Sequence, residues 1–193
     1  MGKLVVSEMI SIDGVIEDPG GAEAFERGGW AFQYDQGPEA MQLKFQELID
    51  AEALLLGRVT YEGFAKAWPT MEGTGAFGER MNSMPKHVVT STLRDLEWTN
   101  ARALEGDLVP AVSALRAAPG GDVLVNGSAQ LVQALVEHDL VDEYRLTVFP
   151  TVLGAGKRLF AGTAAATTLS LVESRPLGND GVLLLTYRPK PQS

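Results

Sequence analysis

The sequence predicts an α/β protein in three layers, α/β/α: one mixed, mostly parallel sheet with helices on both faces and an antiparallel hairpin at its C-terminal end. Three observations carry that expectation. Apolar, strand-like runs alternate with helix-like segments from residue 39 to residue 149, and such alternation demands parallel crossovers. Two late runs, 168–175 and 181–188, flank Pro176-Leu177-Gly178-Asn179-Asp180-Gly181, a hairpin signal. The 193 residues are 45% apolar and 21% charged, ordinary values for one globular domain. We expect a single domain over 1–188 and a disordered tail over 189–193.

Residues 3–12 are aliphatic and β-branched, and read as the first strand until Asp13-Gly14 breaks it. Residues 13–38 carry eight glycines and prolines; a loop this long inside a domain is usually functional or mobile. Trp30, Phe32 and Tyr34 lie in it and either line a pocket or pin the loop to the core. Met41, Phe45, Leu48 and Ile49 form one apolar stripe on a helix over 39–50. Ala53 to Gly57 is a buried strand, after which Thr60 can cap a second helix. A short helix is expected over 76–83, a strand over His87-Val88-Val89-Thr90 and a short one within 98–103. Asp107 is a candidate N-cap, with Pro110 in the first turn of a helix to Ala118. Asp122 to Val125 is a buried strand, and Ser128 can cap the helix with the pairs Leu131/Leu135 and Val132/Val136. Over 142–149, Tyr144, Leu146 and Val148 alternate with Arg145, Thr147 and Phe149. A glycine-marked loop over 150–162 precedes the hairpin.

Charge and composition exclude several functions. Acidic residues number 25 against 16 basic, a net charge of −9, which argues against nucleic acid as a partner. The absence of cysteine removes disulfides, thiolate metal sites and cysteine nucleophiles. With only His87 and His138, no three-histidine metal site is possible in one chain, so no metal is expected. Both histidines, and the pair Asp142-Glu143 as a solvated strand start, are read as structural. No apolar run reaches membrane-spanning length, and the N-terminus lacks a signal-peptide core. A cytoplasmic protein without membrane partners is expected.

Three turns after apolar strands offer small residues, hydroxyls and free backbone N–H groups: Gly57-Arg58-Val59-Thr60, Thr90-Ser91-Thr92-Leu93 and Asn126-Gly127-Ser128-Ala129. Open α/β sheets bind ligands at the carboxyl ends of their strands, and helix N-termini there hold anions. Each hydroxyl can equally be a simple helix cap, and Arg58 a surface ion pair. Gly154-Ala155-Gly156-Lys157-Arg158 lacks Walker spacing, and no G-x-G-x-x-G opens the first helix. Lys157-Arg158 either touches a phosphate or is a solvated pair.

Six ordered motifs point to a family. They are Ser11-Ile12-Asp13-Gly14, Leu56-Gly57-Arg58-Val59-Thr60-Tyr61-Glu62, Lys86-His87-Val88-Val89-Thr90-Ser91-Thr92-Leu93, Val125-Asn126-Gly127-Ser128-Ala129-Gln130-Leu131, Leu140-Val141-Asp142-Glu143-Tyr144-Arg145-Leu146, and the run from Phe149 to Phe160. The chain resembles the dihydrofolate reductase-like proteins, in the branch that contains the C-terminal reductase domain of the bacterial riboflavin biosynthesis enzyme. The resemblance implies a mixed-sheet, dihydrofolate reductase-like fold, NADPH as cofactor and pairing as a homodimer. It places Gly57, Arg58, Thr60, Ser91, Thr92, Gly127, Ser128 and Ala129 along the cofactor's phosphates. It sets Thr151, Leu153 and Gly154 on the far wall of the pocket, and Asp13 and Gly14 beside the nicotinamide and substrate. Dihydrofolate reductase proper uses a carboxylate on its first long helix. Here Glu39-Ala40-Met41-Gln42-Leu43-Lys44-Phe45 offers no residue that aligns as that acid, which points away from dihydrofolate. The implied function is NADPH-dependent hydride transfer to a small heterocyclic substrate, pteridine-, pyrimidine-like or related. Asp13 is the candidate catalytic group, or only the turn-maker of Asp-Gly; Gly14 and Trp30 are candidate substrate contacts. A non-catalytic nucleotide or small-ligand binding protein, or an interaction dimer with a dead pocket, are the alternatives.

Overall fold

The computed structural model describes residues 2–162 and 166–190. Its strands are β1 (Leu4–Ser11), β2 (Ala51–Gly57), β3 (Lys86–Val89), β4 (Ala101–Ala103), β5 (Asp122–Val125), β6 (Glu143–Phe149), β7 (Leu169–Leu177) and β8 (Val182–Pro189). Its helices are α1 (Gly37–Asp50), α2 (Arg58–Ala67), α3 (Gly75–Ser83), α4 (Leu108–Ala117) and α5 (Ala129–Glu137). The strands form one sheet in the order β4-β3-β2-β5-β1-β6-β8-β7. The six from β4 to β6 run parallel, and β8 and β7 close the sheet antiparallel. Among the described residues, no helix is long and apolar enough to cross a membrane.

The parallel strands are nearly continuous in Val, Leu and Ala because both faces are covered. On one face, Leu131, Val132, Leu135 and Val136 of α5 and Val112 of α4 pack on Leu4, Val6, Leu55, Val123 and Val125. On the other, Leu48 of α1, Tyr61 of α2 and Met81 of α3 pack on Val5, Leu54, Leu56 and Leu124. These are the three expected layers. A third apolar cluster joins Val15, Trp30, Ala31, Phe149 and Leu153 to Leu177 and Val182 of the hairpin, beside the carboxyl ends of β1 and β6. Register aligns the carboxyl ends of β2 with β3 (Gly57 with Val89) and of β1 with β6 (Ser11 with Phe149), while β5 ends opposite Val6 in the middle of β1.

Four local expectations are corrected. Helix α1 is rotated from the expected stripe: Leu48 is buried as expected, but Met41 and Ile49 are 66% and 48% exposed and Ala40 is buried in their place. The polar partners of Lys44 and Glu47 on β1 and β6 turn that face inward. No helix follows Thr90-Ser91-Thr92-Leu93; the chain crosses in irregular conformation to β4. There the Thr90 hydroxyl accepts the N–H groups of Thr92 and Leu93 at 3.2 and 3.0 Å, and buried Trp98 anchors the segment. Strand β8 includes Pro189, and the Lys190 N–H donates to the Thr168 carbonyl at 2.8 Å, so residues 189 and 190 are not the expected disordered tail; residues 191–193 lie outside the described residues. Glu143 is not solvated: it is 3% exposed and holds Lys3, Arg145 and Arg188.

Candidate functional site

The carboxyl ends of β2 and β5 lie side by side, and the turns that leave them pack at closest approach. Helix α2 starts directly at Arg58 after an extended Gly57, and α5 starts at Ala129 after an extended Ser128. Neither start carries a side-chain cap: Gly57, not Thr60, is the N-cap of α2, and Ser128 takes the expected N-cap position of α5 without a capping hydrogen bond from its hydroxyl. Thr60 sits inside α2, facing Gly127. The Gly57 N–H donates to the Gly127 carbonyl at 3.3 Å. A Cβ on Gly57 would press into the Ser128 hydroxyl and reach Ser128 N at 3.1 Å. Gly127 is left-handed (φ +80), and a Cβ there would meet the Thr60 hydroxyl at 2.7 Å. Both glycines are therefore required by space, and Gly127 also by conformation. The Asn126 amide ties the turn to β1 by donating to the Ser7 carbonyl at 2.9 Å.

The structure thus brings Gly57, Thr60, Gly127, Ser128 and Ala129 together around two helix N-termini whose first N–H groups have no side-chain partner. Unpaired amides aligned with two helix dipoles favour an anion. Arg58 begins α2 but is half exposed, and its guanidinium pairs with Glu62 at 2.8 Å. Ser91 and Thr92 are exposed in the segment after β3, next to β2 in the sheet.

A second cluster forms where β1 and β6 end. The Ser11 hydroxyl donates to Asp13 at 2.7 Å, and the N–H groups of Leu153 and Gly154 donate to the Asp13 carboxylate at 3.0 and 2.7 Å. The Ile12 N–H donates to the Thr151 carbonyl at 2.9 Å, and the Leu159 N–H to the Gly14 carbonyl at 3.0 Å. Gly14 is left-handed with open space where a side chain would be. The Ser11 hydroxyl, then the Leu153 amide, hold the Asp13 carboxyl well below the ordinary carboxylate range. A carboxylate so satisfied is an anchor between two loops. These contacts match the structural alternative given for it, the turn at Asp13-Gly14. Trp30 is corrected: it is 2% exposed, stacks edge-on against Phe149 at 5.3 Å and donates its indole N–H to the Glu17 carbonyl at 2.9 Å. It pins the loop to the core and offers no surface to a substrate, whereas Phe32 is 74% exposed.

Sequence reasoning missed two polar groups in the middle of β1. On the α1 side, the Ser7 hydroxyl donates to Glu47 at 2.8 Å and accepts from Lys44 at 2.5 Å; Lys44 and Glu47 pair at 3.2 Å, and Arg145 of β6 approaches Glu47 at 3.6 Å. Lys44, Glu47, Arg145, Thr147 and Thr186 line a cavity of about 180 Å³ between α1 and β6, β8 and β7. The expected apolar stripe of Met41, Phe45, Leu48 and Ile49 gave no sign that Lys44 and Glu47 face the sheet. On the opposite face, Glu8 projects beside Gly127. Its Oε1 is shut off from solvent and has no hydrogen-bond partner among the described residues. Burial pushes its carboxyl up to about 8; the Gly127 amide and Lys44 pull it down, and Glu23 adds to the rise. A Glu amid Val and Ile in a predicted central strand was the signal available, since buried charge there needs a reason.

The RibD C-terminal domain family matches residues 2–183. Two Bacillus subtilis (strain 168) proteins described as uncharacterized are similar over their length. YyaP is 26% identical over 188 residues, 96% of this chain and 94% of its own; YwjB is 23% identical over 176 residues, 91% and 92%. Among solved structures, a Shewanella sp. PV-4 protein with a riboflavin biosynthesis name superposes with a TM-score of 0.77 at 21% identity, covering 97% of this chain and 99% of that one. Acinetobacter baumannii RibD superposes at 0.67 with 17% identity, over 98% of this chain and 58% of its own. Both share the fold.

Proposed function

The chain belongs to the RibD C-terminal domain family, and from that premise we propose that it is an NADPH-dependent reductase of a small heterocyclic compound. One observation carries the reading: two uncapped helix N-termini meet at the Gly57–Gly127 contact on the carboxyl edge of a parallel sheet. This cradle suits a dinucleotide pyrophosphate, because the turn Gly127-Ser128-Ala129 and the start of α5 supply backbone donors without needing a basic surface, the Gly127 amide being the one shared with Glu8. Thr60 adds a hydroxyl, and Arg58 turns from Glu62 to a phosphate. Ser91 and Thr92 flank the adenosine end. When bound, NADPH supplies the hydride; the chain supplies position and electrostatics. Asp13 holds the 151–154 loop against Gly14 at the substrate end. The cavity beside Lys44, Glu47, Arg145 and Thr147 offers paired donors and acceptors to a polar heterocycle.

A parallel fluorescence titration with NADPH and NADH tests this. Micromolar binding with preference for NADPH is expected. Arg58→Ala should weaken NADPH about tenfold or more and NADH less, the loss of one charge-assisted contact. Equal weakening would remove Arg58 from the 2′-phosphate. Binding of neither dinucleotide would sink the reductase reading. A non-catalytic binding protein is the second reading, favoured by the commitment of Asp13 to structure. Tight NADPH binding without oxidation across a carbonyl and imine panel would decide for it.

A further inference from the structure

Glu8 stands where the proposed pyrophosphate site and the centre of the sheet meet. Val6 pairs with Val125 in the adjacent β5, so Glu8, two residues on, is level with Gly127, and its side chain shares the face of Val6 and Ile10 under α5. Its Oε1 is enclosed and unpartnered among the described residues. An ionised carboxylate there would oppose any anion on the Gly127–Ala129 amides, at short range and in a poorly solvated place. A neutral carboxyl removes the repulsion and has an O–H to donate. One backbone amide, that of Gly127, holds the charged form, and it is the amide an incoming pyrophosphate would compete for. The turn Asn126-Gly127-Ser128 and the first turn of α5, Ala129-Gln130-Leu131-Val132, contain no ionisable side chain, and neither do the flanking Leu146 and Val148 of β6. Lys44 acts from α1 across the sheet, and Glu23 of the 13–38 segment adds like charge.

We propose that Glu8 couples a proton to dinucleotide binding: its carboxyl is neutral in the complex, and the ionised form must take up a proton for the pyrophosphate to enter. This rests on the reductase reading of the same turn. The direction is fixed by linkage. Binding favours the protonated carboxyl, so affinity is full below its free-state midpoint, about 8, and falls as pH rises through it.

The test compares NADPH affinity at about pH 7.5 and about pH 9.5, where the cofactor's phosphates are already fully ionised. For the wild type, Kd should rise about tenfold or more across that interval. Glu8→Gln, a neutral near-isostere, should lose that dependence, with a ratio of Kd values near one. Calorimetry of the wild type at the higher pH, in two buffers of different ionisation enthalpy, should show uptake approaching one proton per NADPH. This needs no variant and serves if Glu8→Gln misfolds. A pH-independent Kd with no proton uptake overturns the role of Glu8 and leaves the cofactor site standing. An unchanged pH dependence in folded Glu8→Gln overturns it too. Absence of NADPH binding at both pH values overturns the reductase reading, and this inference with it.

Discussion

Asp13 illustrates how a loop carboxylate at the carboxyl ends of β1 and β6 can tie two loops together. Its oxygens accept the Ser11 hydroxyl and the Leu153 and Gly154 amides, so the charge organises two loops that are distant in sequence. Asp13→Ala should cost about 1–3 kcal/mol, because two amides and a hydroxyl lose their acceptor; urea unfolding would measure it. The same variant should loosen the 151–154 loop, read as faster hydrogen exchange at Leu153 and Gly154. Unchanged stability and exchange would show that the anchor is dispensable. Glu8 has the opposite environment: burial without adequate partners pushes its carboxyl up to about 8. Two acids five residues apart in the chain are thus driven in opposite directions by solvation and hydrogen bonding, which residue type cannot reveal.

The strand-to-helix turn is the element that makes the candidate site, and it works because two turns share a contact. Gly57→Ala forces a methyl group into Ser128, so the Gly127–Ala129 turn must move. The variant should lose about tenfold or more in NADPH affinity, since amides displaced by even half an ångström no longer converge on one anion. Global stability should fall by only about 1–3 kcal/mol, as for other overpacked sites. Titration and thermal unfolding of one preparation separate these effects, and unimpaired NADPH binding would dissociate the turn from the cofactor. Helix α1 shows how an element can be identified correctly and oriented wrongly. Its length and apolar content predict a helix, but the inward face is set by Ser7 and Arg145, which lie on other strands.

At the scale of the whole molecule, acid stability reports on buried groups far from the crevice. Burial, and secondarily Arg102, lowers His87 to about 4. The unfolded chain therefore binds that proton more readily, and stability declines as pH falls from about 6.5 toward about 4. Glu143 extends the decline. Burial alone would raise it, but Lys3, Arg145 and Arg188 outweigh burial and take it to about 2. Its contribution is present above about 4.5 and is lost as pH falls toward about 2. Thermal unfolding across this range should show a shallower fall between pH 6.5 and 4 in His87→Gln than in the wild type. Equal slopes would mean that His87 protonates without cost in the fold.

The sequence by itself determined the order and type of the main elements, the mixed sheet with its terminal hairpin, and the strand-to-helix geometry of two of the three candidate turns. Those follow from local information: apolar period, glycine position and strand-to-helix alternation act over a few residues. Tertiary structure alone decided which polar groups are buried and with whom. The uncapped starts of α2 and α5 become one cradle only because β2 and β5 are neighbours in the sheet. Trp30 became core because Phe149, at the end of β6, lies beneath it. Glu8, Lys44 and Glu47 acquired their environments from strands and helices remote in sequence. Desolvation and ion pairing depend on spatial neighbours, and the chain does not carry that information within any local window.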